Sequence, residues 1–153
     1  IAWLLKNYNR IYDDPDMALD IYTRQCSIGV TAKQLATMAA TIANGGKNPV
    51  TKQQVFKPEL SPKIASMMAT VGFYEHTGDW LFTTGLPAKT GVGGGIMGVV
   101  PGVTGVAAFA PPLDEAGNSV KAQKALAYIA GHLNLNIFGT TRCVMAEKEA
   151  AQA

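Results

Sequence analysis

The chain has 153 residues, 48% of them apolar, with 13 basic side chains against 11 acidic ones and a net charge of +2 at neutral pH. That is enough chain for one domain with a real core, and the composition is that of an ordinary folded globular protein. No basic cluster or aromatic-interleaved basic stripe marks a nucleic-acid surface, and the opening residues IAWLLKNYNR are too short and too polar to span a membrane.

Those opening residues also lack the basic start and small-residue cleavage site of a secretory signal, so the expectation is a chain that begins mid-helix, its preceding sequence cut away. Asp14-Pro15 predicts a helix start, with Asp14 as N-cap, Pro15 in the first turn, and Met17, Ala18, Ile21 and Tyr22 along one face to an end near Cys26. Thr31 with Gln34 forms a capping box. Leu35, Met38, Ala39 and Ile42 follow at helical spacing, and Asn44-Gly45-Gly46 supplies a left-handed stop. Ser61-Pro62 opens a third helix with Ile64, Met67, Met68 and Val71 on one side and Gly72 at its end, the methionines serving as core filler.

From Trp80 the period changes. WLFTT, GLPAKTG, GGIMGVVPG and GVAAFAPP read as consecutive antiparallel strands, with a hairpin turn at Pro101-Gly102. Asn118-Ser119 starts a last helix whose Val120, Ala122, Ala125, Leu126 and Ile129 would cover one face of the sheet. The ending MAEKEAAQA has no apolar stripe and reads as a solvated terminus. The fold class is therefore α/β of the α+β type, an antiparallel sheet with flanking helices. Its helical region spans 1–75, its strands 80–110, its last helix 118–133 and its tail 139–153.

Lys89-Thr90-Gly91, inside LPAKTGVGGG, has the form of a strand edge lining a serine acyl-transfer site. In penicillin-recognising enzymes this motif works with Ser-x-x-Lys, which supplies the nucleophile and its basic partner. Three residues after Ser27, Ser61, Ser66 and Ser119 stand Val30, Ile64, Ala69 and Ala122, so this chain carries no such pair and holds only part of a site. Gly93, Gly95 and Gly98 satisfy G-x-G-x-x-G, but they lead into the strand-like GIMGVV rather than a helix, which excludes a dinucleotide site. Small residues here instead let a substrate approach the strand edge, with amides free to donate. A bulged turn between strands accounts for them equally well.

YTRQCSI (22–28), LATMAATIANGG (35–46), GFYEHTGDW (72–80), GLPAKTGVGGGIMGVVPG (85–102) and PPLDEAGNSV (111–120) together resemble the serine-dependent glutaminases of β-lactamase fold. The resemblance runs over 1–138 and implies the C-terminal portion of a single glutaminase domain, hence part of a β-lactamase/penicillin-binding-like fold. It implies hydrolysis of L-glutamine to L-glutamate and ammonia through a serine acyl-enzyme, without cofactor, in a homo-oligomer (dimer or tetramer). Nucleophile and base lie upstream of Ile1, and this chain alone is expected to be inactive.

Three positions carry over residue by residue. Tyr22 matches a substrate-binding tyrosine that faces the pocket from a helix; periodicity alone would make it a core residue. Tyr74, in FYEHTG, matches a substrate-binding tyrosine near the serine and its lysine, where a phenol could relay a proton to the leaving ammonia. Val92 matches the position whose backbone N–H completes an oxyanion hole and binds substrate. Lys89 has an electrostatic role at the same site, against the alternative of a solvent-facing strand lysine.

Other chemistry-bearing residues read as structural. His76 and His132 lack metal-ligand spacing, and Asp13, Asp14 and Asp16 lack the glycine and closing glutamate of a calcium loop. Asp114-Glu115 reads as a solvated turn near the positive end of the last helix. Cys26 and Cys143 are too far apart for metal spacing and read as reduced thiols, Cys26 buried and Cys143 in the tail, which fits a cytoplasmic protein. Expected partners are L-glutamine and further copies of the chain, with no metal, nucleic acid or membrane. Two other readings stay open: a penicillin-binding or β-lactamase relative, which shares Lys-Thr-Gly but not FYEHTG or PPLDEAGNSV, and a non-catalytic fragment that acts only in assembly.

Overall fold

The computed structural model describes residues 1–140; Cys143 and most of the expected tail lie outside the described residues. The chain divides into two compact units, Ile1–Val30 and a second that begins at Thr31. The first holds α1 (Ala2–Asn7) and α2 (Pro15–Cys26). Asp14 caps α2 by accepting from the Asp16 N–H at 3.0 Å, and Pro15 occupies the first turn, where a missing N–H costs no helical bond. Lys6 Nζ donates to the carbonyls of Tyr12 and Asp13, and Trp3 Nε1 donates to the Asp16 carboxylate, so the α1–α2 loop is held by hydrogen bonds. The predicted α2 face is present in spacing but open to solvent: Met17, Ile21 and Tyr22 are all exposed. Cys26, expected to be buried, is exposed as well.

The second unit is a layered α/β structure. Its sheet is antiparallel in the order β1 (Ala88–Thr90), β2 (Gly95–Val100), β3 (Thr104–Phe109), and the β2–β3 hairpin turns at Pro101-Gly102 with Gly102 at φ 72°. Alternation along β2 sends side chains to two cores. Val99 and half-buried Met97 pack with Ala39, Ile42 and Ala43 of α3 (Ala32–Ala43) and with Met68 of α4 (Ser61–Val71). Ile96 and Val100 pack with Ala122, Leu126 and Ala130 of α6 (Val120–Leu133) and with Phe73 and Trp80. At Gly105 of β3 the α3 backbone comes so close that a Cβ would lie 2.0 Å from Ala40 N, which is why the strand carries glycine there.

The helix signals at 31–46 hold in detail: Thr31 and Gln34 complete the reciprocal capping box, and Gly45 and Gly46 take positive φ beyond α3. WLFTT departs from expectation, because residues 77–84 form a helix, α5 (Thr77–Thr84), so the strands occupy 88–109 rather than 80–110 and helical structure extends past 75. A strand would have set Trp80, Phe82 and Thr84 on one face. Instead Thr77, Trp80 and Thr84 are buried at helical spacing while Phe82 is 91% exposed. The hydroxyls of Thr83 and Thr84 donate back to the Asp79 and Trp80 carbonyls, and Gly85 ends the turn at φ 62°.

Smaller corrections share this cause, since periodicity locates a stripe only to within a residue or two. In α4 the buried residues are Ala65 and Met68, whereas Met67 and Val71 face solvent, so only one of the two methionines fills core. In α6 Ser119 is the N-cap, accepting from the Ala122 N–H at 3.3 Å, and Ala125 is exposed.

Candidate active site

The site is organised where α4 meets β1. Thr90 N–H donates to the Gly72 carbonyl at 3.0 Å, tying the end of α4 to the strand edge. Only glycine permits this approach, for a Cβ at position 72 would lie 1.8 Å from the Ala88 carbonyl oxygen. The chain then turns sharply. Phe73 is fully buried and stacks on Trp80 at 4.4 Å between ring centroids, while its N–H donates to Thr77 Oγ1.

Tyr74 follows with φ 53°, a left-handed backbone that costs a non-glycine residue on the order of 1 kcal/mol or more and that concentrates at functional sites. Thr77 Oγ1 donates to the Tyr74 carbonyl at 2.7 Å and holds this conformation. The Lys89 ammonium lies 4.7 Å from the Tyr74 ring centroid, a cation–π arrangement, and also donates to the Thr90 carbonyl. Partial burial pushes Lys89 below its ordinary pKa, because the charged form is the one that loses hydration.

Val92 stands on the turn between β1 and β2. That turn is closed by Gly91 N–H donating to the Gly95 carbonyl and Gly94 N–H donating to the Gly91 carbonyl. Among the described residues the Val92 N–H has no acceptor, and its side chain is exposed. Gly117, at φ 94°, sits between the two candidate residues: a Cβ there would lie 3.3 Å from Val92 Cγ1 and 3.7 Å from Tyr74 Cε2. The structure thus brings Tyr74, Lys89 and Val92 into one neighbourhood.

Tyr22 belongs to the first unit. It is 65% exposed on α2, one helical turn before Cys26, and the neighbouring thiol raises its phenol pKa.

The sequence places a turn at Asp114-Glu115 but gives the loop at 113–119 no role in the site. Asp114 is no freely solvated turn residue: its Oδ1 accepts from the N–H groups of Ala116 and Asn118 at 3.1 and 2.8 Å, and its Oδ2 accepts from Gln123 at 2.9 Å. His76 Nδ1 lies 3.9 Å from the same oxygen. Partial burial alone would raise the Asp114 carboxyl, but hydrogen bonds from Asn118 and Gln123, His76 nearby and the Ala116 N–H outweigh it and hold the pKa below the ordinary value. The available signal was an Asp three residues before Gly117-Asn118, a setting suited to an Asx turn closed by the Ala116 N–H. Among the described residues no group of three or more metal-ligating side chains is gathered. An open groove of about 470 Å³, lined by Ser61, Ala65, Ala69, Pro101 and Phe138 among others, shares no residue with this neighbourhood.

A family model described as Glutaminase matches residues 1–138. The chain belongs to the glutaminase family. It is 70% identical over 147 residues to a glutaminase of Parabacteroides distasonis and 69% identical to one of Bacteroides fragilis, in each case covering 96% of this chain and 46% of the relative. It therefore spans about half the length of the curated glutaminases it matches.

Solved glutaminases share its fold. A probable glutaminase, ybaS, superposes with a TM-score of 0.84 at 50% identity, over 90% of this chain and 44% of that one. The Bacillus subtilis glutaminase YbgJ, in a covalent complex with 5-oxo-L-norleucine formed by reaction with 6-diazo-5-oxo-L-norleucine, gives a TM-score of 0.83 at 31% identity, over 90% and 49%. Among the described residues no helix is long and apolar enough to cross a membrane.

Proposed function

We propose that this chain is the C-terminal portion of a single glutaminase domain, and that the whole protein hydrolyses L-glutamine to L-glutamate and ammonia through a serine acyl-enzyme. The serine attacks the side-chain amide carbon, ammonia leaves from the tetrahedral oxyanion, and water cleaves the ester. A hydroxyl is a weak nucleophile until a base takes its proton, and both groups come from sequence upstream of Ile1. The covalent adduct of the B. subtilis enzyme supports a nucleophile in that family member.

The observation that carries the reading is the Val92 N–H, left without an acceptor among the described residues on a turn beside Tyr74 and Lys89. In the proposed mechanism it donates to the oxyanion, a charge that exists only near the transition state. The Tyr74 phenol contacts substrate and relays the proton to ammonia. Lys89 biases the site electrostatically toward the anionic intermediate and the substrate carboxylate, and Tyr22 contributes to glutamine binding. The protein is a cytoplasmic homo-oligomer in this reading. Family membership favours a linear amide over a lactam or an acyl-D-alanyl substrate, which leaves the penicillin-binding alternative without support.

Backbone chemistry tests the assignment. With this chain continuous with the N-terminal part of the P. distasonis glutaminase, Val92→Ala keeps the N–H and lowers kcat only modestly. An ester in place of that amide removes the donor and lowers kcat about a hundredfold or more, equivalent to about 3 to 4 kcal/mol. Equal kcat in the amide and ester forms would remove Val92 from the oxyanion hole.

A further inference from the structure

The loop at 113–119 touches the candidate site at several points, and no catalytic step uses it. Asn118 is fully buried, and its Nδ2 donates at 3.3 Å to the carbonyl of Phe73, the peptide that leads into the left-handed Tyr74. Its Oδ1 has no partner among the described residues, a costly arrangement for a buried amide and one that a purely structural asparagine would not require. Gly117, the preceding residue, lies against both Val92 and Tyr74. Asp114 fastens the turn from inside through the Ala116 and Asn118 N–H groups, and from outside through Gln123 of α6 and His76 of the Tyr74–His76 turn.

Hydrogen bonds local to a surface turn would serve the turn alone. Here one carboxylate connects the last helix, the turn and the segment carrying Tyr74, and one buried amide fixes the peptide from which Tyr74 departs.

We propose that Asp114 and Asn118 are positioning residues for glutamine hydrolysis, setting the Tyr74 phenol relative to the Val92 N–H: Asn118 holds the Phe73 carbonyl, and Asp114 holds Asn118 through its N–H and the Tyr74–His76 turn through His76. This rests on the roles proposed for Tyr74 and Val92. It carries a specific consequence: loosening the turn affects turnover chiefly through the placement of Tyr74. Substrate binding contributed by other elements is retained.

Asp114→Ala is the test variant, since its side chain is partly exposed and the fully buried Asn118 is the riskier place for a substitution. In the assembled enzyme described above, Asp114→Ala lowers kcat about tenfold with KM within about twofold. Asp114→Asn, which keeps the Oδ1 acceptor for both N–H groups, restores kcat to within about threefold of the parent. On a Tyr74→Phe background, Asp114→Ala costs less than about twofold further, because the turn acts through the hydroxyl already removed. Hydrogen exchange at the amides of residues 72–76 accelerates in Asp114→Ala, while that of α3 and β3 is unchanged.

Multiplicative losses in the double variant, or unaltered exchange at 72–76, would overturn the proposal. Wild-type kcat in Tyr74→Phe would instead contradict the proposed role of Tyr74, and the exchange measurement would still decide whether Asp114 holds that segment.

Discussion

At the scale of single residues, the two tyrosines given different proposed roles also sit in different backbone settings. Tyr74 is held in a left-handed backbone by Thr77 and lies under the Lys89 ammonium, whereas Tyr22 projects from the regular helix α2 of the other unit. Tyr74→Phe in the assembled enzyme is therefore expected to lower kcat by about 10²-fold or more with substrate affinity retained, as removal of a proton-transfer group does. Tyr22→Phe is expected to raise KM with kcat little changed. Steady-state kinetics on both variants check this, and the same pattern in the two would show that their roles are not separate.

The motif Lys89-Thr90-Gly91 was legible from residue types alone, but Tyr22, Tyr74 and Val92 were legible only through resemblance to a family. Asp114 and Asn118 were legible only as a turn and a helix start, not as residues that reach the segment carrying Tyr74. The partner that gives Asn118 its meaning is 45 residues away, and no local pattern encodes such a contact.

At the scale of elements, local signals located helices wherever capping chemistry marked their ends. Thr31 with Gln34, Asp14 with Pro15, and Ser119 each appear at the expected boundary, because a cap is satisfied within a few residues of itself. WLFTT failed for the opposite reason. Its tryptophan, phenylalanine and threonines favour a strand, yet the burial of Trp80 beside Phe73, with Trp80 Nε1 donating to the Leu86 carbonyl at 2.8 Å, sets a helical period that composition does not announce.

The junction of α4 and β1 gives an element-scale prediction. Gly72→Ala would place a methyl 1.8 Å from the Ala88 carbonyl oxygen and 2.2 Å from that of Met68, both backbone atoms, and is expected to destabilise by about 3 kcal/mol or more. Gly131→Ala, in α6 with nothing within 4 Å of the new methyl, is expected to be neutral or stabilising by up to about 1 kcal/mol. Urea midpoints for the two variants check the contrast. A Gly72→Ala protein as stable as its parent would mean that α4 does not approach β1 as described.

At the scale of the whole molecule, the chain covers 46% of the curated glutaminases it matches, and its described residues leave Trp3, Ile21, Tyr22 and Phe82 among many large apolar side chains in solvent. Singly such exposure is ordinary, but on the first unit it involves both helices. The sequence carries no Ser-x-x-Lys, so in the proposed reading Tyr74, Lys89 and Val92 are one part of a composite site rather than a complete catalyst.

Ammonia release from L-glutamine is the most direct measurement of whether this is one part of a composite site. It should be assayed with the purified chain alone, with the N-terminal part of the P. distasonis glutaminase alone, and with the two joined. The expected result is no release above a mock purification from either part, and turnover by the joined protein that falls on Tyr74→Phe. Turnover by the 153-residue chain alone, surviving that mock control, would contradict the central claim that its nucleophile and base lie elsewhere.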